Sequence, residues 1–264
     1  MQVSVGMQDE EKVKAKYKNQ NIMVSAIIPV RTGDKPLKSC LKSLEEQTIK
    51  PYEILVVSDE GKGQSHARIK GALQAKSELL LFVDSDIIAQ KNALEQVLKK
   101  KEEGYDEVVA RMIPTPLNKF SEKIAQAACP DVSIVDGQVT SSGLHFTVID
   151  KELFLRFSKE LEKYPGYAGD VILSKLLLEN NFKLGYTKPS VHHIIRTTPV
   201  KFFKKRVACG YALGAIFYSE KKYWKELFRL FVAALLAVRK PARLPYQLGT
   251  FVGTLLFIKK VPKV

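Results

Sequence analysis

Asp84 and Asp86 stand two positions apart, directly after the apolar run Leu79-Leu80-Leu81-Phe82-Val83. Five consecutive apolar residues suit a strand buried on both faces, as in a parallel sheet. In extended backbone, positions i and i+2 point the same way, so both carboxylates can face one small volume. Two negative charges that close are unfavourable unless a cation joins them. A solvated loop is the alternative for any Asp-x-Asp, so the other strand ends decide between the two. Pro29-Val30-Arg31 closes one apolar strand, and Ser58-Asp59-Glu60-Gly61 closes another. Arg68, early in the next helix, adds a cation on the same side. Open α/β sheets bind ligands beyond the carboxyl ends of their strands. Carboxylates for a metal, an arginine for phosphate and a carboxylate for a ribose or base edge suit a nucleoside diphosphate. Neither GxGxxG nor GxxxxGK[ST] occurs, which argues against a dinucleotide fold and a P-loop.

The elements that must position these groups follow from the apolar spacing. Met23–Val30 and Tyr52–Ser58 read as strands flanking Leu79–Val83, with Glu107–Met112 as a fourth. Helical spacing falls at Pro36–Gln47, Ser65–Ala75 and Asn92–Glu103, the last with Asn92 as N-cap. Alternation at about 25–30 residues per unit predicts βαβ crossovers and a mostly parallel sheet. Beyond Pro114 the spacing predicts helices at Leu117–Ala128, Lys151–Phe157 and Asp170–Asn180. It also predicts strand character over Val139–Ile149, with a turn at Ser142-Gly143, and a short last strand at Phe182–Tyr186.

Charge divides the chain. The net charge is +14, yet residues 1–195 hold 27 Lys and Arg against 26 Asp and Glu, whereas residues 196–264 hold 15 against 2. A block this basic suits either nucleic acid or an anionic membrane surface. It also carries the apolar runs Leu230–Val238 and Leu244–Ile258, both shorter than the roughly 18–20 residues a crossing helix needs. Two short apolar helices with cationic flanks fit an interfacial or re-entrant hairpin. Cys40, Cys129 and Cys209 show no metal-site spacing or disulfide framework, so the expected compartment is reducing and cytoplasmic. Residues 1–20 form a polar leader with no apolar signal core.

The segments Val24-Ser25-Ala26-Ile27-Ile28-Pro29-Val30, Glu53-Ile54-Leu55-Val56-Val57-Ser58-Asp59, Ala67-Arg68-Ile69-Lys70-Gly71 and Leu81-Phe82-Val83-Asp84-Ser85-Asp86 together resemble a family 2 glycosyltransferase of the GT-A fold, over roughly residues 23–210. The resemblance implies a catalytic domain over 21–195 and a helical, basic and apolar membrane-associating appendage over 196–264. It implies a nucleotide-sugar donor and a divalent cation, Mn or Mg. Asp86 would be the principal metal ligand, with His193 rather than His192 beside it, and Asp84 would contact the ribose or the metal. Asp59 would accept from the nucleobase or ribose, Arg68 would pair with phosphate, and Pro29 and Arg31 would line the nucleoside pocket. Asp170 would be the general base, although Gly169 stands where the family commonly has Glu. Ser141, Ser142 and Gly143 would lie on the acceptor loop.

The reading expected from this is an inverting, metal-dependent glycosyltransferase at the cytoplasmic face of the membrane, acting on a lipid-linked or cell-surface glycan acceptor. A sugar nucleotidyltransferase is the rival enzyme, but a Gly-rich triphosphate loop after the first strand is missing. A non-catalytic protein binding membrane or nucleic acid through its tail is the third reading. It leaves the strand-end acids unexplained, and acids would repel a phosphate backbone, so no nucleic-acid partner is expected.

Overall fold

The computed structural model describes residues 23–127, 132–135, 138–163, 169–219, 221–237 and 244–258. The expected leader and Cys129 lie outside these. In chain order come β1 (Val24–Val30), α1 (Lys38–Glu45), β2 (Glu53–Ser58), α2 (Gln64–Gln74), β3 (Leu79–Val83), β4 (Ile87–Ala89), α3 (Ala93–Glu102) and β5 (Glu107–Pro116). They are followed by α4 (Lys119–Ala127), β6 (Val132–Val135), β7 (Gln138–Ser142), β8 (Phe146–Asp150), α5 (Lys151–Arg156), α6 (Ser158–Leu161) and α7 (Gly169–Glu179). The chain closes with β9 (Leu184–Ile195), α8 (Pro199–Ser219), α9 (Tyr223–Ala237) and α10 (Leu244–Ile258). Two compact units result: one holds residues 1–113, 131–161 and 170–193, and the other holds 114–130, 162–169 and 194–264.

The first unit is built on a seven-stranded sheet of order β2-β1-β3-β8-β5-β9-β4. Strands β2, β1 and β3 are parallel neighbours. β8 is antiparallel to both β3 and β5, so β5 runs in the same direction as β3. Every side chain of β1 and β3 is buried, as their unbroken apolar runs require. Phe82 stacks at 4.6 Å on Phe154, and both are fully buried. Helix α2 lies very close to β1 because position 71 has no side chain: a Cβ there would come within 2.5 Å of Ile27. Helix α3 starts where expected, but Asn92 does not cap it. Its Oδ1 accepts from Gln96 Nε2 at 3.0 Å instead.

Two strands depart from the sequence expectation. The region 139–149 is two strands in different sheets, since β7 pairs with β6 and β8 enters the main sheet. The last strand is β9, twelve residues long, which runs through Pro189 to reach the two histidines. A proline inside a strand argues against its continuation, which hid this one.

In the second unit, α8 and α10 approach backbone to backbone. A Cβ at Gly210 would lie 2.0 Å from the Thr250 carbonyl oxygen, and one at Gly253 would lie 1.9 Å from that of Val207. Both helices carry glycines four apart, Gly210/Gly214 and Gly249/Gly253, the small-residue spacing that permits such contact. Thr254 Oγ1 donates to the Gly210 carbonyl at 2.9 Å, and Arg206 Nη2 donates to Thr250 Oγ1 at 2.9 Å. Among the described residues, no helix is long and apolar enough to cross a membrane.

Candidate active site

The paired register between β1 and β3 ends at Ile27↔Phe82, while that between β1 and β2 runs on to Val30↔Ser58. Pro29 is buried just past the point where the β3 side stops, and it has no N–H to extend a ladder. The sheet therefore opens at this rim. Asp59 bridges it: its Oδ1 accepts from the Thr32 backbone N–H at 3.0 Å, the Thr32 hydroxyl at 3.1 Å and the Gly61 N–H at 3.0 Å. Glu60 and Gly61 both adopt positive φ, 50° and 76°, to bend the chain around that carboxylate. Burial disfavours the Asp59 charge, but these N–H and O–H donors, with Arg31 nearby, outweigh it and hold the carboxyl below its usual range. Arg31 itself is exposed.

Arg68 is buried on α2, and its Nη2 meets Asp84 Oδ1 at 2.9 Å. The 84–86 turn is fixed from several directions. The Asp84 N–H donates to the His145 carbonyl at 2.9 Å, the Ile87 N–H to that of Asp84 at 3.1 Å, and the Leu37 N–H to that of Ser85 at 3.0 Å. Cys40 is a fully buried thiol beneath this turn, pushed up to about 12 by burial and then by the charges of Asp86 and Asp84. Strand β4 leaves the turn and pairs antiparallel with β9, setting Ile87 opposite His193 and Ile88 opposite His192. His193 Nε2 thereby comes to 3.3 Å from Asp86 Oδ2, and both side chains remain partly open to solvent. The register thus gives His193, rather than His192, to Asp86.

Asp170 opens α7, where a carboxylate meets the positive end of the helix. The Val171 N–H donates to its Oδ1 at 2.9 Å. Asp170 keeps some accessible surface, yet protein surrounds it closely, and this enclosure raises its carboxyl above the ordinary range. The Arg68 charge pulls it back down and the Asp84 charge pushes it up, so Asp170 senses both members of that ion pair. The three acceptor-loop residues are placed differently from one another. Ser141 sits in β7 opposite Ser133, and the Gly143 carbonyl accepts from Thr147 Oγ1 at 2.6 Å. Ser142 is buried, and its hydroxyl donates to Glu107.

Among the described residues, no group of three or more His, Cys, Asp and Glu converges as a self-sufficient metal cage. Asp86 with His193, and the Asp84 oxygen not engaged by Arg68, instead fit a cation that completes its shell with phosphate oxygens and water, as Mg-type sites do. Thr32, Glu107 and Ser174 are site-shaping residues without a sequence signal. The one available hint was an ionisable residue, Glu107, heading the buried run Val108-Val109-Ala110. His145 is buried with its Nε2 at 2.7 Å from the Ala110 carbonyl oxygen.

Residues 58–156 match the family model described as Glycosyl transferase family 2. No curated protein sequence matches the chain. Among solved structures, glucosyl-3-phosphoglycerate synthase from Mycobacterium tuberculosis, in complex with Mn2+, UDP and phosphoglyceric acid, aligns with 79% of this chain and 81% of its own. Its TM-score is 0.53 at 13% identity. Mannosyl-3-phosphoglycerate synthase from Rubrobacter xylanophilus aligns with 81% of this chain and 80% of its own, with a TM-score of 0.52 at 15% identity. At these identities the likeness is one of fold, a mixed α/β sheet flanked by helices.

Proposed function

We propose that this glycosyltransferase, whose residues 58–156 match the family 2 model, moves a sugar, with inversion, from a nucleoside diphosphate to an acceptor hydroxyl. One observation carries this reading: Asp59, the Arg68–Asp84 pair and the Asp86–His193 pair follow one rim of the sheet, with Asp170 close enough to feel the charges of Arg68 and Asp84. The nucleoside lies at the Asp59 end, against Pro29 and Arg31, where the ionised carboxylate accepts from base or ribose. The fixed turn aims Asp84 and Asp86 at the diphosphate. Asp86 and His193 would hold a divalent cation, Mn or Mg, which when bound neutralises charge developing on the departing diphosphate. The aligned mycobacterial synthase, whose complex contains Mn2+ and UDP, supports this assignment.

Asp170 takes the proton of the acceptor hydroxyl as the new glycosidic bond forms and the bond to the diphosphate breaks. A carboxyl raised above the ordinary range is a better base than a free one. A base on the face opposite the leaving group implies a single displacement, hence inversion.

One face of the second unit supports a membrane location. On α9, Trp224, Phe228, Phe231 and Leu235 fall within about 60° of one another at 100° per residue, and all four are exposed, Trp224 by 69% and Phe228 by 66%. The exposed Lys225 and Arg229 lie along one edge of this stripe, Arg229 also paired with Glu226 at 2.9 Å. An apolar stripe bordered by cations matches an anionic lipid surface, where ring and alkyl groups sink among acyl chains and ammonium and guanidinium groups meet headgroups. A second copy of the same face would bring like charges together. This face supports our reading that the enzyme works at the cytoplasmic membrane face on a lipid-linked or surface-glycan acceptor.

Two experiments test these readings. Hydrolysis of a panel of nucleotide sugars with Mn2+ should reveal a donor for the wild type and show its loss in Asp86→Asn; no turnover on any member overturns the donor assignment. Phosphatidylglycerol vesicles should sediment the wild type at low salt but not Phe228→Glu/Leu235→Glu. Equal sedimentation of both removes the α9 face from the account.

A further inference from the structure

Beneath the first turn of α7 runs a buried polar chain that the proposed mechanism does not use. Glu107 is 1% exposed and heads β5. The Ser142 hydroxyl donates to its Oε1. The Ser142 N–H donates to Ser174 Oγ at 3.1 Å, and the Ser174 hydroxyl donates to the Asp170 carbonyl at 2.9 Å. The two hydroxyl oxygens lie 3.3 Å apart. The second Glu107 oxygen, Oε2, is buried with no hydrogen-bond partner. A carboxylate oxygen in that position is costly, and an apolar residue at the head of a buried strand would avoid the cost. Its position beside the helix that carries Asp170 calls for a role.

Resting on the reading of Asp170 as the base, we infer that Glu107 is a positioning residue for Asp170, acting through the Ser142 and Ser174 hydroxyls on the first turn of α7. With Glu107 ionised, Ser142 must donate to it, and Ser174 fixes the Asp170 backbone from below. With Glu107 protonated at Oε1, the carboxyl donates to Ser142, whose hydroxyl is then released to donate to Ser174. The direction of the hydroxyl chain therefore follows one proton. The groups facing Glu107 are Lys101 from α3, whose own ammonium is held by Asp150 at 2.6 Å, and Asp170 from α7. Burial, and then the Asp170 charge, raise the Glu107 carboxyl to about 7 against the pull of Ser142 and Lys101, so this proton exchanges near neutrality. Ser142 accordingly belongs to this internal chain.

The test reads Asp170 without needing turnover. The Val171 amide donates to the Asp170 carboxylate, so its nitrogen–proton NMR shift titrates with that group. In Glu107→Gln, which keeps the side chain's shape, the Val171 profile should lose the inflection near pH 7 that follows the Glu107 charge. The Ser142 amide should lose a transition near pH 7 that the wild type shows. Superimposable Val171 and Ser142 profiles in the two proteins overturn the inference. Ser174→Ala, which leaves Glu107 in place, should lower kcat about threefold or more with KM for the donor unchanged; an unchanged kcat overturns it as well. Full turnover by Asp170→Asn, with a Val171 profile that still changes in Glu107→Gln, would remove the base assignment and leave the coupling standing.

Discussion

Breaking the Arg68–Asp84 pair should cost unequal amounts from its two sides. At 2.9 Å the pair attracts by about 6 kcal/mol at an effective dielectric of about 20. Desolvating the guanidinium offsets much of that, leaving a net coupling of about 2–3 kcal/mol. The Arg68 side chain is 6% exposed, whereas that of Asp84 is 29% exposed. Asp84→Ala therefore strands a buried cation and should destabilise by about 3 kcal/mol or more. Arg68→Met leaves a carboxylate that water can reach and keeps the apolar stem, so about 1–2 kcal/mol is expected. The double variant should cost less than the sum of the single variants by the coupling energy. Urea denaturation of all four proteins at pH 7 measures the cycle. Additivity within about 0.5 kcal/mol, or a costlier Arg68→Met than Asp84→Ala, would refute this account of the pair.

Asp59 has a depressed folded-state pKa, so the stability it contributes is present above its ordinary value of 3.8 and is lost as pH falls through the folded value. Wild-type stability should thus drop more steeply than that of Asp59→Asn below about pH 4, a difference readable by acid titration of circular dichroism. Glu107 behaves in the opposite sense. Its pKa rises from 4.5 to about 7, so stability present below pH 4.5 is lost as pH climbs to 7. Glu107→Gln should gain on the wild type by an amount on the order of 3 kcal/mol between those limits, and parallel urea midpoints across that range would contradict it. Gly253→Leu forces a side chain into the Val207 carbonyl and should part α8 from α10 at a cost of about 3 kcal/mol or more, whereas exposed Leu256→Ala should be nearly neutral. Calorimetry of the two variants distinguishes them.

The residues most legible in the sequence were those whose environment is set locally. Apolar runs announced β1, β2 and β3, and the polar residues ending them had to emerge at one rim. The antiparallel insertion of β8 between β3 and β5 was not legible, because ladder pairing joins residues far apart in the chain and leaves no local pattern. Strand β9 was cut short in the reading because Pro189 and the two histidines look unlike a strand. Yet its register with β4 is what brings His193 to Asp86. Glu107, Ser142 and Ser174 were invisible as a group for the same reason: three ordinary polar residues from separate elements become a chain only after packing. The exposure of Trp224 on α9, beside Tyr223 at 5.4 Å, is a property of the folded unit.

The claim that Asp86 and its neighbours bind a nucleoside diphosphate while Asp170 acts on the acceptor is tested most directly by calorimetric titration of UDP with Mn2+. The titration compares wild type, Asp86→Asn and Asp170→Asn. The account predicts binding to the wild type and, within about twofold, to Asp170→Asn, with loss of about tenfold or more in Asp86→Asn. Equal binding by wild type and Asp86→Asn, or loss confined to Asp170→Asn, would contradict it.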